Sequence, residues 1–425
     1  MMGGIDKRRG PSPDAAHTPS GLLVYGGARM RDLLSREEAL ALVLGRTAAL
    51  DVEDVPLDRS AGRVLASPAL AGVDLPSFAA SAMDGFALRS AETPGTFRVV
   101  GRIAAGRAPE RRLESGEAFA IATGGVVPEG ADAVVPIEDV RATDAEVVVG
   151  GDVSIGANVR SRGGDLVSGA AVIATGVCIG PVHIGALAAA GVTTVRCHRL
   201  PRVVVAVTGS ELRAPGEPLA RGEIYDANGL ILETQIRSTG ASCERLPIVR
   251  DDLETTKSAI AQGLEADVLV TSGGVSVGAF DYVRQSEAEL DVEEVFWRVA
   301  VRPGKPVAFG VRGATLVFGL PGNPVSSLVG FELFVRPALM ALQGLADPRP
   351  PYQPGRITRA VKLLPERESL LRARTRVVGG VVELDPLVGQ ESHMIAHAAT
   401  ATALVLAPEG EGDLPAGSAV SYLTL

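Results

Sequence analysis

Aromatic side chains make up only 4% of the 425 residues, too few to build the stacking platforms on which single-stranded nucleic acids lie. Lysine is scarcer still: four of the 41 basic residues are Lys (Lys7, Lys257, Lys305 and Lys362), and the rest are Arg. With a formal net charge of −9, the chain lacks the basic excess of a general nucleic-acid binder, which leaves room only for a local basic pocket. The three cysteines, Cys178, Cys197 and Cys243, are odd in number, far apart and in no CxxC pair. That spacing argues against a disulfide framework or a cysteine zinc site and fits a reducing compartment. No run approaches the roughly 18 uncharged apolar residues of a membrane span, and the first residues carry no hydrophobic signal core. Together these absences predict a soluble, cytoplasmic protein with neither nucleic acid nor membrane as partner. His393 and His397 stand at helical spacing but lack the adjacent Glu of a zincin and a third ligand, so they are not expected to hold a metal.

What is present points to several domains. A chain of this length with 46% hydrophobic residues exceeds one core and suggests about three or four. Residues 1–30 are rich in Gly and Pro, without apolar periodicity, and read as a disordered extension. Ser35 with Glu38 forms a capping-box pattern ahead of a helix through Leu40, Val43, Leu44 and Thr47. Val55 to Ala66 then reads as a turn and a second helix. Residues 31–72 and 160–200 are expected to form a helix-containing linker domain interrupted by a β-rich insert, residues 73–159, with strands at Phe97–Ile103, Ala118–Ala122 and Ala133–Pro136. Residues 201–347 alternate strand and helix as a doubly wound α/β domain, and residues 348–425, with runs Thr375–Leu384, Ala403–Ala407 and Ala419–Leu423, should close a small β-barrel. The fold class is therefore α/β and β multidomain, with a central doubly wound α/β domain and a small C-terminal β-barrel.

Within the α/β domain, the buried strand pattern at Asp267–Val270 runs into Thr271-Ser272-Gly273-Gly274-Val275-Ser276-Val277-Gly278. The glycines permit positive φ and close approach of a ligand, and the hydroxyls and free N–H groups suit an anion, although Ser-Gly-Gly alone also reads as an ordinary strand-to-helix turn. Thr315–Leu320 leads into a second loop of the same kind, Pro321-Gly322-Asn323-Pro324-Val325-Ser326-Ser327, with a helix expected from Leu328. Two such loops at one sheet edge sit where open α/β sheets bind ligands. Asp251 and Asp252 read as helix caps, as does Asp226 with Asn228. Asp84 before Gly85, and Thr123 before Gly124-Gly125, read locally as loop and turn residues. Arg302-Pro303-Gly304-Lys305-Pro306 places a rare Lys in a turn that is not a Walker A motif.

Seven motifs occur in order: Ser81-Ala82-Met83-Asp84-Gly85-Phe86-Ala87; Thr123-Gly124-Gly125 with Pro128-Glu129-Gly130; Arg162-Gly163-Gly164-Asp165; Thr208-Gly209-Ser210-Glu211-Leu212; Ser272 to Gly278 with Asp281-Tyr282; Arg302 to Pro306; and Gly319 to Ser326. From about Leu33 to Leu425 the chain resembles the molybdopterin molybdenumtransferases, the bacterial enzymes similar to the E domain of gephyrin. The resemblance implies a four-domain homodimer in which the α/β domain holds the pterin nucleotide and the partner's β insert closes over it. It implies that adenylylated molybdopterin and molybdate react with release of AMP, with Mg2+ as the divalent ion and a molybdopterin adenylyltransferase as pathway partner.

On that resemblance, Asp84, Thr123, Asp165, Glu211 and Asp251 are the implied catalytic residues, with Glu211 and Asp251 on the metal. Asp226, Asn228, Ser272, Gly273, Gly274, Ser276, Gly278, Asp281, Pro321 and Pro324 would bind the pterin nucleotide. A tetrahedral dianion needs cationic and hydroxyl donors, for which the resemblance suggests Arg302, Lys305, Ser326, Arg374 and Ser392. The chain departs from the common pattern with Phe86 where Tyr is frequent, Ser210 where Asp is frequent, and Arg298 and Arg302 where Lys is frequent.

Overall fold

The computed structural model describes residues 33–274 and 282–425. Its α/β domain is built on a six-stranded sheet in the order Ser242–Arg245, Arg202–Val207, Val268–Ser272, Thr315–Leu320, Ala308–Arg312, Glu293–Trp297. The first four strands are parallel and the last two antiparallel. The three inner parallel strands, Arg202–Val207, Val268–Ser272 and Thr315–Leu320, are rich in Val, Leu and Phe because both faces are covered, whereas edge strand Ser242–Arg245 is polar and mostly exposed. Arg202–Val207 is followed in the chain by Ser242–Arg245 on one side and by Val268–Ser272 on the other. The strand order therefore reverses between Arg202–Val207 and Val268–Ser272, and a ligand crevice is expected at their C-terminal ends.

One face is packed by the helical run Pro324–Leu342, together with helix Arg36–Gly45, whose Ala39, Leu40 and Val43 join the same core as Phe296, Phe309, Phe318 and Phe334. Ring centroids 5.0 Å apart for Phe309 and Phe318 and 6.3 Å for Phe296 and Phe334 link sheet to helix. Pro324–Leu342 is the one helical run among the described residues long and apolar enough to cross a membrane, and 72% of its apolar window is buried in this core. It contains a π turn, Phe331–Val335. The capping box at Ser35 and Glu38 is present.

Several expectations change. The apolar run Arg245–Val249 predicts a strand there, but the strand lies earlier, at Ser242–Arg245, because Pro247 has no N–H for a ladder. The helix expected from Leu328 begins at Pro324, since Pro fits the first helical position, where its missing N–H costs nothing. No second helix spans Val55 to Ala66. Val52–Pro56 is a strand paired antiparallel with Thr194–His198, followed by one 3-10 turn, Leu57–Arg59. The β-branched Val52 and Val55 favour the strand, and Pro56 and Gly62, at φ +77°, prevent a continuing helix. That pair packs with helix Pro181–Ala189 around Leu65, Ile179, Leu187 and Val195.

The insert is a six-stranded sheet in the order Ala133–Pro136, Gly85–Leu88, Glu117–Ile121, Gly95–Ile103, Glu146–Val149, Val140–Ala142. Residues 77–86 read from the sequence as a loop, but Gly85 and Phe86 start an inner strand. A Cβ at Gly85 would stand 2.0 Å from the Val135 carbonyl oxygen, which explains the glycine beside Asp84. At the C-terminus, strands Glu368–Val378, Val381–Pro386, Gln353–Ile357, Ala419–Thr424 and Ala403–Ala407 pair in sequence and close on one another as a five-stranded barrel, with Val301–Arg302 added at Glu368–Ser369. The expected run Thr375–Leu384 is a hairpin turning at Gly379 and Gly380, whose positive φ suits a two-residue turn.

Candidate functional site

At the reversal point the two loop ends are in contact. The Thr208 N–H donates to the Ser272 carbonyl at 3.0 Å, and the Gly273 N–H to the Leu320 carbonyl at 3.1 Å. Gly273 and Gly274 have φ of +95° and +65°, and a Cβ at Gly273 would meet the Thr208 carbonyl oxygen at 2.6 Å. These glycines let three strand ends converge on a backbone-lined crevice. Asn228, at the start of helix Asn228–Ser238, donates from Nδ2 to Ser272 Oγ and to the Gly322 carbonyl, each at 2.8 Å. Its Oδ1 and the Thr208 hydroxyl are buried and lack hydrogen-bond partners among the described residues. Buried polar atoms without partners are costly, so both mark places where a ligand can complete the bonding. Asp226, 2% exposed, caps the same helix by accepting the Gly229 N–H at 2.8 Å and faces Arg245 at 3.5 Å. Ser276, Gly278 and Asp281 lie outside the described residues.

Ser210, next to Glu211 in the chain, ties its loop to Asp251. The Ser210 N–H donates to Asp251 Oδ2 at 2.9 Å, and Ser210 Oγ accepts the Asp251 N–H at 3.2 Å. Serine here holds Asp251 rather than adding an acid. Asp252, next in the chain, caps helix Leu253–Gly263 by accepting the Thr255 N–H. Among the described residues no group of three His, Cys, Asp or Glu side chains clusters as a metal cage. Glu211 and Asp251, on two adjoining loops, would suit a hard divalent ion that takes its remaining ligands from phosphate and water.

A cavity of about 420 Å³ lies next to this crevice, lined by Arg302, Lys305, Pro321, Ser326, Arg367 and Ser392, among others. Four of the five predicted oxyanion residues therefore share one cavity. The fifth, Arg374, does not line it and donates to the Thr400 carbonyl at 3.4 Å. Arg367, which the sequence reading missed, takes that place. It sits between Glu366 and Glu368 in no recognisable motif, and only barrel closure brings it against Lys305. Arg302, Lys305 and Arg367 make no ion pair among the described residues, whereas most arginines elsewhere face a carboxylate. Exposed Glu391 is the one acid on the wall among the described residues. The two sites meet at Pro321: its carbonyl accepts the Ser272 hydroxyl at 3.4 Å, and the residue also lines the cavity. Pro324 sits at the first position of the helix that carries Ser326.

In the insert, Asp84 and Thr123 form one unit. Asp84 Oδ1 accepts the Thr123 N–H at 2.6 Å and the Thr123 hydroxyl at 3.0 Å. The backbone bond first, and then the hydroxyl bond, hold the Asp84 carboxyl below the ordinary aspartate range. Because these bonds favour the ionised form, their contribution is present above the unfolded-state value of about 4 and is lost as pH falls through the lower folded-state value. Thr123→Val keeps the N–H and removes the hydroxyl. The Asp84 midpoint in a carbon-13 carboxyl titration is then expected to rise, yet to stay below that of an unbonded aspartate; an unchanged midpoint would mean that the hydroxyl contributes nothing. Asp165 is exposed, and its N–H donates to the Leu75 carbonyl at 2.9 Å.

A doubly wound domain with glycine and serine loops at its reversal point, a cationic cavity beside them, a β insert and a C-terminal barrel define a multidomain protein suited to an anionic ligand. Residues 34–191 match the MoeA N-terminal region (domain I and II), 204–341 a probable molybdopterin binding domain, and 354–425 the MoeA C-terminal region (domain IV). The chain is 34% identical to molybdopterin molybdenumtransferase 2 of Mycobacterium tuberculosis, covering 86% of this chain and 93% of that one. It is 30% identical to the molybdopterin molybdenumtransferase of Staphylococcus epidermidis, covering 92% and 96%. The crystal structure of a molybdopterin biosynthesis MoeA protein from Pyrococcus horikoshii superposes with a TM-score of 0.79 at 30% identity, over 92% of this chain and 99% of that one. The chain belongs to the molybdopterin molybdenumtransferase family.

Proposed function

We propose that the protein inserts molybdenum from molybdate into adenylylated molybdopterin with release of AMP, a step of molybdenum cofactor biosynthesis. The observation that carries this reading is the junction at Pro321, where a nucleotide-type crevice meets a cavity whose three cations, Arg302, Lys305 and Arg367, have no ion-pair partner among the described residues. A nucleotide phosphate on the Ser272 to Gly274 backbone would point its pterin end toward an oxyanion held by Arg302, Lys305, Arg367, Ser326 and Ser392. Guanidinium and ammonium groups suit a tetrahedral dianion through charge-assisted hydrogen bonds. Asn228 and Thr208 would complete their bonding on the nucleotide.

Glu211 and Asp251 would hold Mg2+, which when bound neutralises the pyrophosphate and eases departure of AMP. Asp84, kept ionised by Thr123, would orient water or the metal from the insert. Met83 and Ile137 are exposed beside it, and the Ile137 N–H donates to the Asp84 carbonyl at 3.0 Å. An apolar rim around a carboxylate suits a face covered by a second copy of the chain, so the working form would be a homodimer with a shared site. The adenylylated substrate would come from a molybdopterin adenylyltransferase, and the three free thiols fit the cytoplasm.

The test is AMP release from purified protein given adenylylated molybdopterin and Mg2+, with and without molybdate. Release that depends on molybdate is the expected result. Tight nucleotide binding with no molybdate-dependent release would overturn the reading in favour of a binding scaffold.

A further inference from the structure

We infer that Arg372 is a positioning residue for oxyanion capture: its buried guanidinium sets the loop from Leu387 to Met394, and through it Ser392, against the helix turn that carries Ser326. The inference rests on the proposed reading of the cavity as the molybdate site.

Arg372 lies in strand Glu368–Val378 and is 1% exposed, the largest of the fully buried side chains. Its Nη2 donates to the Gly389 carbonyl at 2.8 Å and its Nη1 to the carbonyls of Glu391 and Met394, each at 3.3 Å. Gln390 Oε1 accepts the Arg372 backbone N–H at 3.0 Å and Nε at 3.3 Å, and Gln390 Nε2 donates to the carbonyls of Arg372 and Leu387, each at 2.9 Å. The loop is thus wound around one guanidinium. Between its attachment points at Gly389 and Met394 lie the four residues that this loop gives to the cavity: Gln390, Glu391, Ser392 and His393. The far side of the loop is tied to the α/β domain, because the Ser392 carbonyl accepts the Val325 N–H at 3.1 Å, one residue before Ser326.

A loop clamp alone does not call for a cation. Burying a guanidinium without a carboxylate in direct contact is unfavourable; the direct partners of Arg372 among the described residues are carbonyls and one amide, and the Glu391 carboxylate acts on it only through space, offsetting part of the burial. Burial accordingly pulls its pKa below the ordinary arginine value. The arrangement makes sense if both functions are used: the planar fork fixes the carbonyl geometry of the loop, and the charge behind the wall favours an anion in front of it.

The experiment measures molybdate and ADP affinities of the full-length protein by calorimetry, the molybdate KM and kcat, and thermal midpoints, for wild type, Arg372→Met, Arg372→Lys and Gln390→Met. Arg372→Met is expected to weaken molybdate binding by about tenfold or more, the loss typical of one charge-assisted interaction, with ADP affinity within about twofold. KM should rise more than kcat falls. Arg372→Lys, which keeps charge without the fork, should lie between, and Gln390→Met should also weaken molybdate binding. A folded Arg372→Met that binds molybdate as wild type does, with only a lower thermal midpoint, overturns the inference. If Arg372→Met does not fold, unchanged molybdate affinity in both other variants overturns it instead. Wild-type protein that binds no molybdate, or binds it indifferently to Lys305→Ala, would refute the reading of the cavity itself.

Discussion

Lys305→Ala is expected to raise the molybdate KM by about 10- to 100-fold, the range for losing one hydrogen-bonded charge of about 1.5–3 kcal/mol, while affinity for the pterin nucleotide stays within about twofold. The side chain is half-buried on the cavity wall and has no ion-pair partner among the described residues. Its removal therefore leaves no stranded carboxylate and little cause for unfolding. Its backbone is held independently: the Lys305 carbonyl accepts the Val299 N–H at 2.9 Å. Steady-state kinetics with molybdate varied, and calorimetry with ADP, separate the two effects. Equal loss of both affinities would show that Lys305 supports the whole site rather than the oxyanion, and no change in either would remove it from the site. Arg302 and Arg367 on the same wall bound the loss, because two cations remain.

Where local pattern and tertiary packing agree, the sequence was legible. Arg202–Val207 and Thr315–Leu320 begin and end as their apolar runs do, and Ser35 and Asp252 cap the helices that they precede. The loops between strand and helix were legible too, because glycine, serine and proline have few other uses in such density. Errors arose where pairing across long separations decides. Val52–Pro56 is a strand because Thr194–His198 lies beside it, a partner some 140 residues away that helical spacing cannot reveal. Helix Arg36–Gly45, read as part of the domain that residues 160–200 complete, also packs against the α/β core, a contact that helical spacing does not show.

Arg367 and Arg374 show the same limit within the site. Both are arginines of one barrel segment in an arginine-rich chain, and nothing in their neighbours distinguishes them. Closure of the barrel and the parallel pairing of Val301–Arg302 with Glu368–Ser369 place Arg367 beside the Lys305 turn and leave Arg374 further along the strand. The cavity is thus a product of topology: its cations come from a turn of the α/β domain and from the barrel, and its hydroxyls from a helix start and a barrel loop. Chemistry could be read residue by residue, but convergence could not.

The complementary experiment is Gly273→Ala, expected to lower nucleotide affinity by about 100-fold, roughly the effect of losing two to three kcal/mol at a backbone-lined site, while molybdate affinity changes by about threefold or less. Gly273 has φ +95°, where an L side chain is disfavoured by about 1–2 kcal/mol. Its Cβ would also sit 2.6 Å from the Thr208 carbonyl oxygen and 2.8 Å from Thr208 Oγ1. The carbonyl belongs to the end of a central strand and has no free direction in which to move, so the loop must shift instead. A shift there breaks the Gly273 N–H bond to the Leu320 carbonyl and displaces the amides that would meet phosphate. Gly62→Ala is the control, since Gly62 has φ +77° but nothing within 4 Å of an added Cβ; it carries the backbone cost without the collision. If Gly273→Ala binds ADP as Gly62→Ala does, the close approach to Thr208 is irrelevant to the ligand. If nucleotide binding collapses while molybdate still binds, then together with Lys305→Ala the two halves of the site are separable, as a site formed by two sheet-edge loops and a barrel wall should be.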